Sequence, residues 1–428
     1  MSARRFPRLS IAAALVSGVV SSMVSGYASA QDDLGALSLA DATPTAPVAT
    51  VRPWKLNVEG GSETLQRWDG TSSTRYRYSF DGSVNYALTP EVRAVVAARI
   101  ERNAETPTSV YRTTPYLKEA YLSWQPSASQ VIDAGRINQR FGVATGYNPT
   151  DFFKSGSVVT SSPDPISRRT NRLGSVMLQG QQLWDSGSVS LLLSPRLATR
   201  REPGDPEADD ALSKTNSINR WLLTGSQQIG ATLRPQWLIY REEGHSPQFG
   251  FNLSTLLGKS AVVYGEWAGG RAPSLYSLAN REEQDVRFRS RSAVGVTYTW
   301  PLDITTTFEW QTNGAGVAKG DDQAMAYRNP AAWGNALRWS YNLQDAVTRQ
   351  AFFTYLSAHN VVVQGLDLSG FVQADMGNQG RQAWLELRKR YDSFSLSLQW
   401  QRQRGEAWTR FGALPERNNV KVLADLYY

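Results

Sequence analysis

The sequence predicts an all-β fold, a transmembrane antiparallel up-and-down β-barrel of about 18 strands, with about 16 as the alternative count. Three observations carry this expectation. Apolar and polar residues alternate over segments of about ten residues along most of the chain. Short turns alternate with long polar connections. After residue 30 no stretch approaches the ~20 consecutive apolar residues that a membrane helix needs.

The alternation has a physical cause. Inside hydrocarbon every backbone N–H and C=O must be paired within the protein, so a spanning sheet has to close on itself. One face then meets lipid and the other a wet lumen. Trp54, Leu56 and Val58 alternate with Lys55, Asn57 and Glu59, and Phe80, Gly82, Val84, Tyr86 and Leu88 with Asp81, Ser83 and Asn85. Val92, Ala94, Val96, Ala98 and Ile100 share one face. Ile304, Thr306, Phe308 and Trp310, and Phe394, Leu396, Leu398 and Trp400, repeat the pattern. A soluble sandwich also alternates, but its apolar faces would not end so regularly in Trp or Tyr.

Tight turns fall at Thr89-Pro90, Asp185-Ser186-Gly187, Gly258-Lys259, Pro301-Leu302-Asp303 and Tyr391-Asp392. Long polar stretches lie near 103–115, 142–171, 200–216, 270–284, 313–345 and 403–417. Short turns on one rim and long loops on the other are the outer-membrane arrangement. Asn335 to Asp345 is assigned to a loop, which keeps the strand number even. The last strand alternates Val420, Val422, Ala424, Leu426 and Tyr428 against Lys421, Asp425 and Tyr427. An alternating strand ending in an aromatic residue is the signal read by the barrel assembly machinery. Tyr428 stands where Phe is usual.

The chain opens with a basic start (Arg4, Arg5, Arg8), an apolar run from Leu9 to Val24 and the small-x-small pattern Ala28-Ser29-Ala30, which reads as a cleaved signal peptide over 1–30. Residues 31–53 are rich in Ala, Thr, Pro and Asp and read as a disordered periplasmic leader. The barrel occupies 54–428, and the expected location is the cell outer membrane. With no cysteine, disulfide frameworks, thiol nucleophiles and thiolate metal sites are excluded. Only His245 and His359 occur, too few for a histidine metal site. Without Arg4, Arg5 and Arg8 the 45 cations become 42 against 38 acids, a charge of +4, too small to define an ion preference.

Lumen-facing residues decide what such a barrel does. Arg287, Arg289 and Arg291 recur at period 2 and are expected to point inward, either as an anion-attracting ladder or paired with carboxylates on neighbouring strands. Arg136, Asn138 and Arg140 form a second set, with Glu119 placed opposite Arg136 as a lumenal ion pair. Arg93 and Arg99 are also expected inside. The loop from Gly142 to Asn171, holding Asn148, Pro149, Asp151, Arg168 and Arg169, is the candidate constriction, because a barrel this wide leaks unless a loop folds inward. The alternative is a loop lying over the mouth.

The run Ala134-Gly135-Arg136 to Phe141-Gly142, followed by Tyr147-Asn148-Pro149-Thr150-Asp151, resembles porin-like barrels that include alginate-export-type proteins. Arg168 to Gly174 and Pro195-Arg196-Leu197 extend the likeness, which covers mainly residues 116–200. The resemblance implies an 18-stranded pore with an arginine-rich lumen and loops acting as lids.

The expectation is therefore a passive pore for small polar, anionic solutes or an anionic polysaccharide. No catalytic residue, metal or cofactor is assigned. The expected partners are outer-membrane lipids, lipopolysaccharide and the assembly machinery, and no nucleic acid. Two other classes compete: a barrel enzyme of phospholipase or esterase type using His245, and a non-conducting adhesion or assembly barrel. His245, in Glu242-Glu243-Gly244-His245-Ser246, has no flanking enzyme motif and reads as a solvated turn.

Overall fold

The computed structural model describes residues 52–107, 110–199, 211–230, 232–281 and 285–428. The expected signal peptide and nearly all of the expected leader lie outside them, as do parts of two of the long connections.

Eighteen strands follow one another around a closed sheet. They are β1 (Trp54–Arg67), β2 (Ser72–Ala87), β3 (Val92–Thr106), β4 (Val110–Ser127), β5 (Gln130–Ile137) and β6 (Ser175–Trp184). Then come β7 (Gly187–Ser194), β8 (Arg220–Gln227), β9 (Gln236–Glu242), β10 (Gln248–Leu257), β11 (Ala261–Ala272) and β12 (Arg287–Trp300). The last six are β13 (Ile304–Asn313), β14 (Gln350–Ala358), β15 (Leu366–Asp375), β16 (Arg381–Arg390), β17 (Phe394–Arg404) and β18 (Glu416–Tyr427). Each strand pairs antiparallel with its sequence neighbours, and β18 closes on β1 through Asn57↔Tyr427 to Thr64↔Val420. Tyr428 donates its amide to the Leu56 carbonyl at 3.0 Å and so completes the seam. Closure leaves no strand edge unpaired, which is the condition for a sheet in hydrocarbon.

The alternation sorts the side chains as the wall requires. Tyr78, Phe80, Ile100, Leu122, Phe308, Leu398 and Val422 are exposed on the outside, while Arg77, Ser79, Arg99, Glu309, Gln399 and Lys421 are buried inside. On β4 the register slips between Ala97↔Glu119 and Ala98↔Leu117. This bulge at Lys118 turns both Lys118 and Glu119 away from the outer face.

Two connections differ from expectation. Residues 103–115 are not a long loop: β3 and β4 run on as a hairpin to Thr106 and Val110. Among the described residues the long loops also carry five helices, α1 (Pro165–Thr170), α2 (Ala211–Thr215), α3 (Leu275–Asn280), α4 (Asp321–Arg328) and α5 (Pro330–Leu343). Asn335 to Asp345 does belong to a loop, but most of it is helix. In α5 the buried residues Trp333, Ala336, Leu337 and Ser340 recur every three or four positions. Asn329 caps it by accepting the Ala332 amide, with Pro330 at its first position.

The apolar core sits within the lumen and at its mouth. Ile137, Phe141, Phe153, Met177, Leu192, Leu222, Leu238 and Tyr240 join the wall of β5–β9 to the segment after β5. A second cluster joins Leu275 and Ala279 of α3 to Trp333, Ala336 and Leu337 of α5. The Trp333 indole donates to the Trp408 carbonyl at 2.8 Å, so the loop after β17 joins this cap.

Candidate functional site: a pinned loop and a charged wall

The segment between β5 and β6 enters the barrel, and two wall carboxylates hold it there. Glu266, on the inner face of β11, accepts the amides of Val143 (3.1 Å), Ala144 (3.2 Å) and Thr150 (2.8 Å), the Thr150 hydroxyl (2.7 Å) and the Asn148 side-chain amide (3.3 Å). Glu309 on β13 accepts the amides of Thr145 (3.0 Å) and Gly146 (3.1 Å) and the Tyr264 hydroxyl (2.9 Å). A carboxylate offers about four acceptor sites, and each bond to an ionised group is stronger than a neutral one. Gly142 and Gly146 permit the approach. A Cβ on Gly142, where φ is +95°, would lie 2.5 Å from a Glu266 oxygen, and one on Gly146 would lie 2.6 Å from the Phe353 ring.

Further along, Asp151 and Arg172, each 2% exposed, pair at 2.5 Å. Arg172 also donates to the Ser157 hydroxyl at 2.9 Å, which clips the segment into a hairpin. Lys154 and Arg291 converge on Asp345, at 2.9 and 3.1 Å. Burial alone would raise the Asp345 carboxyl, but the charges of Lys154 and Arg291 hold it at about 2. Asp345 thereby ties the segment to the loop that carries α5. Arg169 donates to the carbonyls of Phe141 (3.3 Å), Gly142 (3.2 Å) and Ala144 (3.0 Å). Asn148 accepts Lys154 on its carbonyl at 3.0 Å.

The far end of the segment reaches the opposite wall. Asn171 accepts Lys118 of β4 at 3.2 Å, Ser161 accepts Arg77 of β2, and Ile166 packs against the cluster of Phe353, Tyr355, Phe371 and Trp384. That wall, from β15 through β18 to β4, is a lattice of opposite charges. Arg99 meets Glu101 at 2.9 Å, Lys118 meets Asp81 at 2.7 Å, and Arg77 meets Glu59. Arg388 meets Glu386 at 3.0 Å, Arg390 meets Asp367 at 2.5 Å, and Lys421 meets Glu63 at 3.5 Å.

Two cations are placed differently. The Arg168 side chain in α1 has no hydrogen bond or ion pair among the described residues, while its amide donates to the Asp164 carbonyl at 2.9 Å. Burial, and next the nearby charge of Arg410, push its guanidinium down to about 10, so it stays charged at neutral pH. Arg410 is 6% exposed, lies over the rings of Tyr341 (5.6 Å) and Phe411 (5.3 Å), and leaves its Nε without a partner. Asp164, which caps α1 by accepting the Ser167 amide at 2.9 Å, adds its charge beside Arg168. Burial raises its carboxyl to about 6.

A pH dependence follows from Asp164. Its folded pKa lies above the ordinary value of 3.8, so the docked segment binds a proton more readily than a released one. The contribution to docking is fullest below about pH 4 and falls as pH rises through about 6. Cleavage of residues 138–174 by added protease is expected to rise between pH 5 and 7.5 as Asp164 ionises. Asp164→Asn should flatten that profile.

Several sequence expectations need correction. Arg287, Arg289 and Arg291 are not a solute-facing ladder. Arg289 is buried and clamps two loops, donating to the carbonyls of Ala272 (3.1 Å) and Gly314 (2.9 Å) and to the Asp285 carboxylate (2.7 Å). Arg291 is paired with Asp345, and Arg287 is exposed at the start of β12. The carboxylates involved come from loops, not from adjacent strands. The Glu119–Arg136 ion pair does not form. A register shift between Trp124 and Ser127 in the β4–β5 ladder leaves Ala120 opposite Arg136, and Glu119 accepts the Asn138 amide at 3.2 Å instead. Arg136 is buried, donating to the Gly174 carbonyl (2.6 Å) and the Thr215 hydroxyl (3.2 Å). Arg140 lies beyond the end of β5 at Ile137, so it is a loop residue. Arg93 and Arg99 do lie on the inner face of β3. The sequence reading missed Glu266, Glu309, Asp345, Arg410 and most of the charged wall. Glu266 was available as the one acid in the apolar run Val262 to Trp267.

His245 is exposed in the turn after β9, 3.1 Å from the Glu243 carbonyl and 3.7 Å from Glu242. It has no nucleophile to activate among its described contacts. Among the described residues no helix is long and apolar enough to cross a membrane, and no metal-binding cluster is present.

No protein-family model matches the sequence, and no curated protein matches it. Solved structures do. OccAB1 of Acinetobacter baumannii superposes with a TM-score of 0.54 at 9% identity, over 88% of this chain and 96% of that one. OccK5 (OpdH) of Pseudomonas aeruginosa gives 0.54 at 8% identity, over 87% and 97%. OccK2 (OpdF) of the same organism, solved in complex with glucuronate, gives 0.52 at 9% identity, over 88% and 97%. The fold is the closed β-barrel of these proteins, among which OpdK of Pseudomonas aeruginosa is an outer membrane protein. At these identities the likeness concerns architecture alone.

Proposed function

We propose that this chain is an outer-membrane pore through which small polar solutes diffuse passively, with a preference for anions. The carrying observation is the segment 138–174, pinned across the lumen by Glu266 and Glu309 and ending with Arg168 beside Arg410. Those two guanidinium groups sit near each other with no carboxylate hydrogen-bonded to either among the described residues. Like charges so placed favour an anion between or beside them. Arg can hold a carboxylate or phosphate through two parallel bonds. That OccK2 was solved with glucuronate, a sugar acid, is consistent with this chemistry in a barrel of the same architecture.

A segment lying across the lumen suits a small solute better than a polysaccharide chain, so the export reading is not pursued. Ser357 Oγ does lie 3.4 Å from His359 Nε2, with His359 Nδ1 3.5 Å from Asp367, but Asp367 is held at 2.5 Å by Arg390 within the charged wall, so this row reads as part of the wall and not as an enzyme site.

The test is ion selectivity in planar bilayers under a salt gradient. Arg168→Glu and Arg410→Glu should each shift the reversal potential toward cation preference, and Arg168→Lys should keep the anion preference. Heat-modifiable gel mobility would confirm that each variant barrel is folded. Reversal potentials equal to wild type in both Glu variants would remove the two arginines from the mechanism. A folded barrel with no conductance at all would overturn the pore reading.

A further inference from the structure

The lipid-facing side of the wall carries arginines and no carboxylate. The outward position is fixed on every strand by its exposed apolar neighbours. At these positions stand Arg102 on β3, Arg241 on β9, Arg271 on β11, Arg381 on β16, and Arg402 and Arg404 on β17. Outward acids are absent from the described strands. Glu416, at the start of β18, is turned inward by the bulge at Gln66/Arg67 and lies 3.9 Å from Arg75.

Four of these arginines share one height. Arg102 lies ten positions above Val92, Arg271 ten above Ala261, and Arg404 ten above Phe394, each counted from the first strand residue after a short turn. At ~3.4 Å per residue and a tilt of ~40–45°, that is roughly 25 Å, the height of the apolar band of an outer-membrane barrel. Arg102, Arg271 and Arg404, with Arg381 as the cross-strand partner of Arg404, therefore meet the headgroup level of the outer leaflet, above Leu385, Leu398 and Trp400.

The densest part is on β16 and β17. Arg381 and Arg404 are direct cross-strand partners, and Arg402 pairs with Ala383 one step below. Like charges directly opposite one another destabilise a sheet unless an anion compensates them. None of the three makes a side-chain hydrogen bond or ion pair among the described residues. Their charge is unmet within the protein, and they face away from the lumen.

We propose that the outer rim of β16 and β17 binds the phosphate groups of the glycolipid that forms the external leaflet, with Arg381, Arg402 and Arg404 holding phosphate and the apolar wall beneath them meeting the acyl chains. This requires the barrel to span an outer membrane but is independent of what passes through it. A guanidinium takes phosphate through two parallel bonds, and clustered phosphates on one headgroup match clustered arginines.

The test uses the full-length folded barrel in zwitterionic detergent, mixed separately with diphosphorylated lipid A, dephosphorylated lipid A and phosphatidylglycerol, and read by native mass spectrometry. The wild type should retain the diphosphorylated lipid at least about tenfold better than either of the others. The triple variant Arg381→Gln, Arg402→Gln, Arg404→Gln should lose that preference, while the triple Arg→Lys variant keeps part of it. Should the triple Gln variant not fold, Arg404→Gln alone, with gel mobility as the folding control, is expected to weaken retention measurably. Equal retention of dephosphorylated lipid A or of phosphatidylglycerol by the wild type, or unchanged retention in folded Gln variants, would overturn the assignment.

Discussion

Replacing Glu266 with Gln is expected to open the channel. The side chain keeps its size, but the change removes an acceptor oxygen and puts an NH2 group among donors. Val143, Ala144 and Thr150 present amides to the carboxylate, and Asn148 and Thr150 present side-chain donors. An amide oxygen cannot serve all five, so two or more buried donors lose their partner. Each unmet buried donor costs about 1–3 kcal/mol. A total of about 3–4 kcal/mol would move the docked-to-released ratio of the segment by more than a hundredfold. Single-channel conductance should then rise about two- to fivefold, with added flicker, because the lumen of so wide a barrel is narrowed mainly by this segment. Glu266→Asp, which keeps the charge but shortens the reach, should give an intermediate effect. Conductance traces of Glu266→Gln matching the wild type would show that the segment is held by packing alone. Glu309→Gln is the weaker companion, since Tyr264 and Gln311 can rearrange around it.

How far these features were legible in the sequence depends on whether they are local. The strand wall was legible because side-chain alternation is a local property: Phe394 to Trp400 states its two faces without reference to anything else. Turn positions such as Pro301-Leu302-Asp303 were legible for the same reason. The site was not, because its pairings join residues far apart in the chain. Arg291 was recognised as an inward arginine, yet its partner Asp345 lies 54 residues on, after a helix that strand periodicity does not announce. The Glu119–Arg136 pairing failed through a register shift between Trp124 and Ser127, close to the turn into β5, which sets Ala120 and not Glu119 opposite Arg136. Glu266 looked like an ordinary lumenal acid. Only the loop brought back against it, with Gly142 and Gly146 letting the backbone come close, makes it an anchor.

Breaking the Asp151–Arg172 pair should release the same segment by a different route. Both residues are 2% exposed, and the guanidinium makes three bonds, two to Asp151 and one to Ser157. Removing one partner of a buried pair leaves an uncompensated charge and costs about 3–5 kcal/mol. Arg172→Leu is therefore expected to free residues 151–172 for cleavage by added protease while the heat-modifiable barrel stays intact. Asp151→Asn should do the same, because Arg172 then remains buried with the Ser157 hydroxyl but no carboxylate to balance its charge. The double variant Asp151→Asn, Arg172→Leu removes both charges, so its cost should fall well below the sum of the two single changes. That non-additivity separates a charge pair from simple loss of packing, which would add. Strict additivity in the double-mutant cycle would show that the hairpin is held by its backbone bonds, such as the Leu173 amide to the Ser157 carbonyl at 2.7 Å, and not by the ion pair.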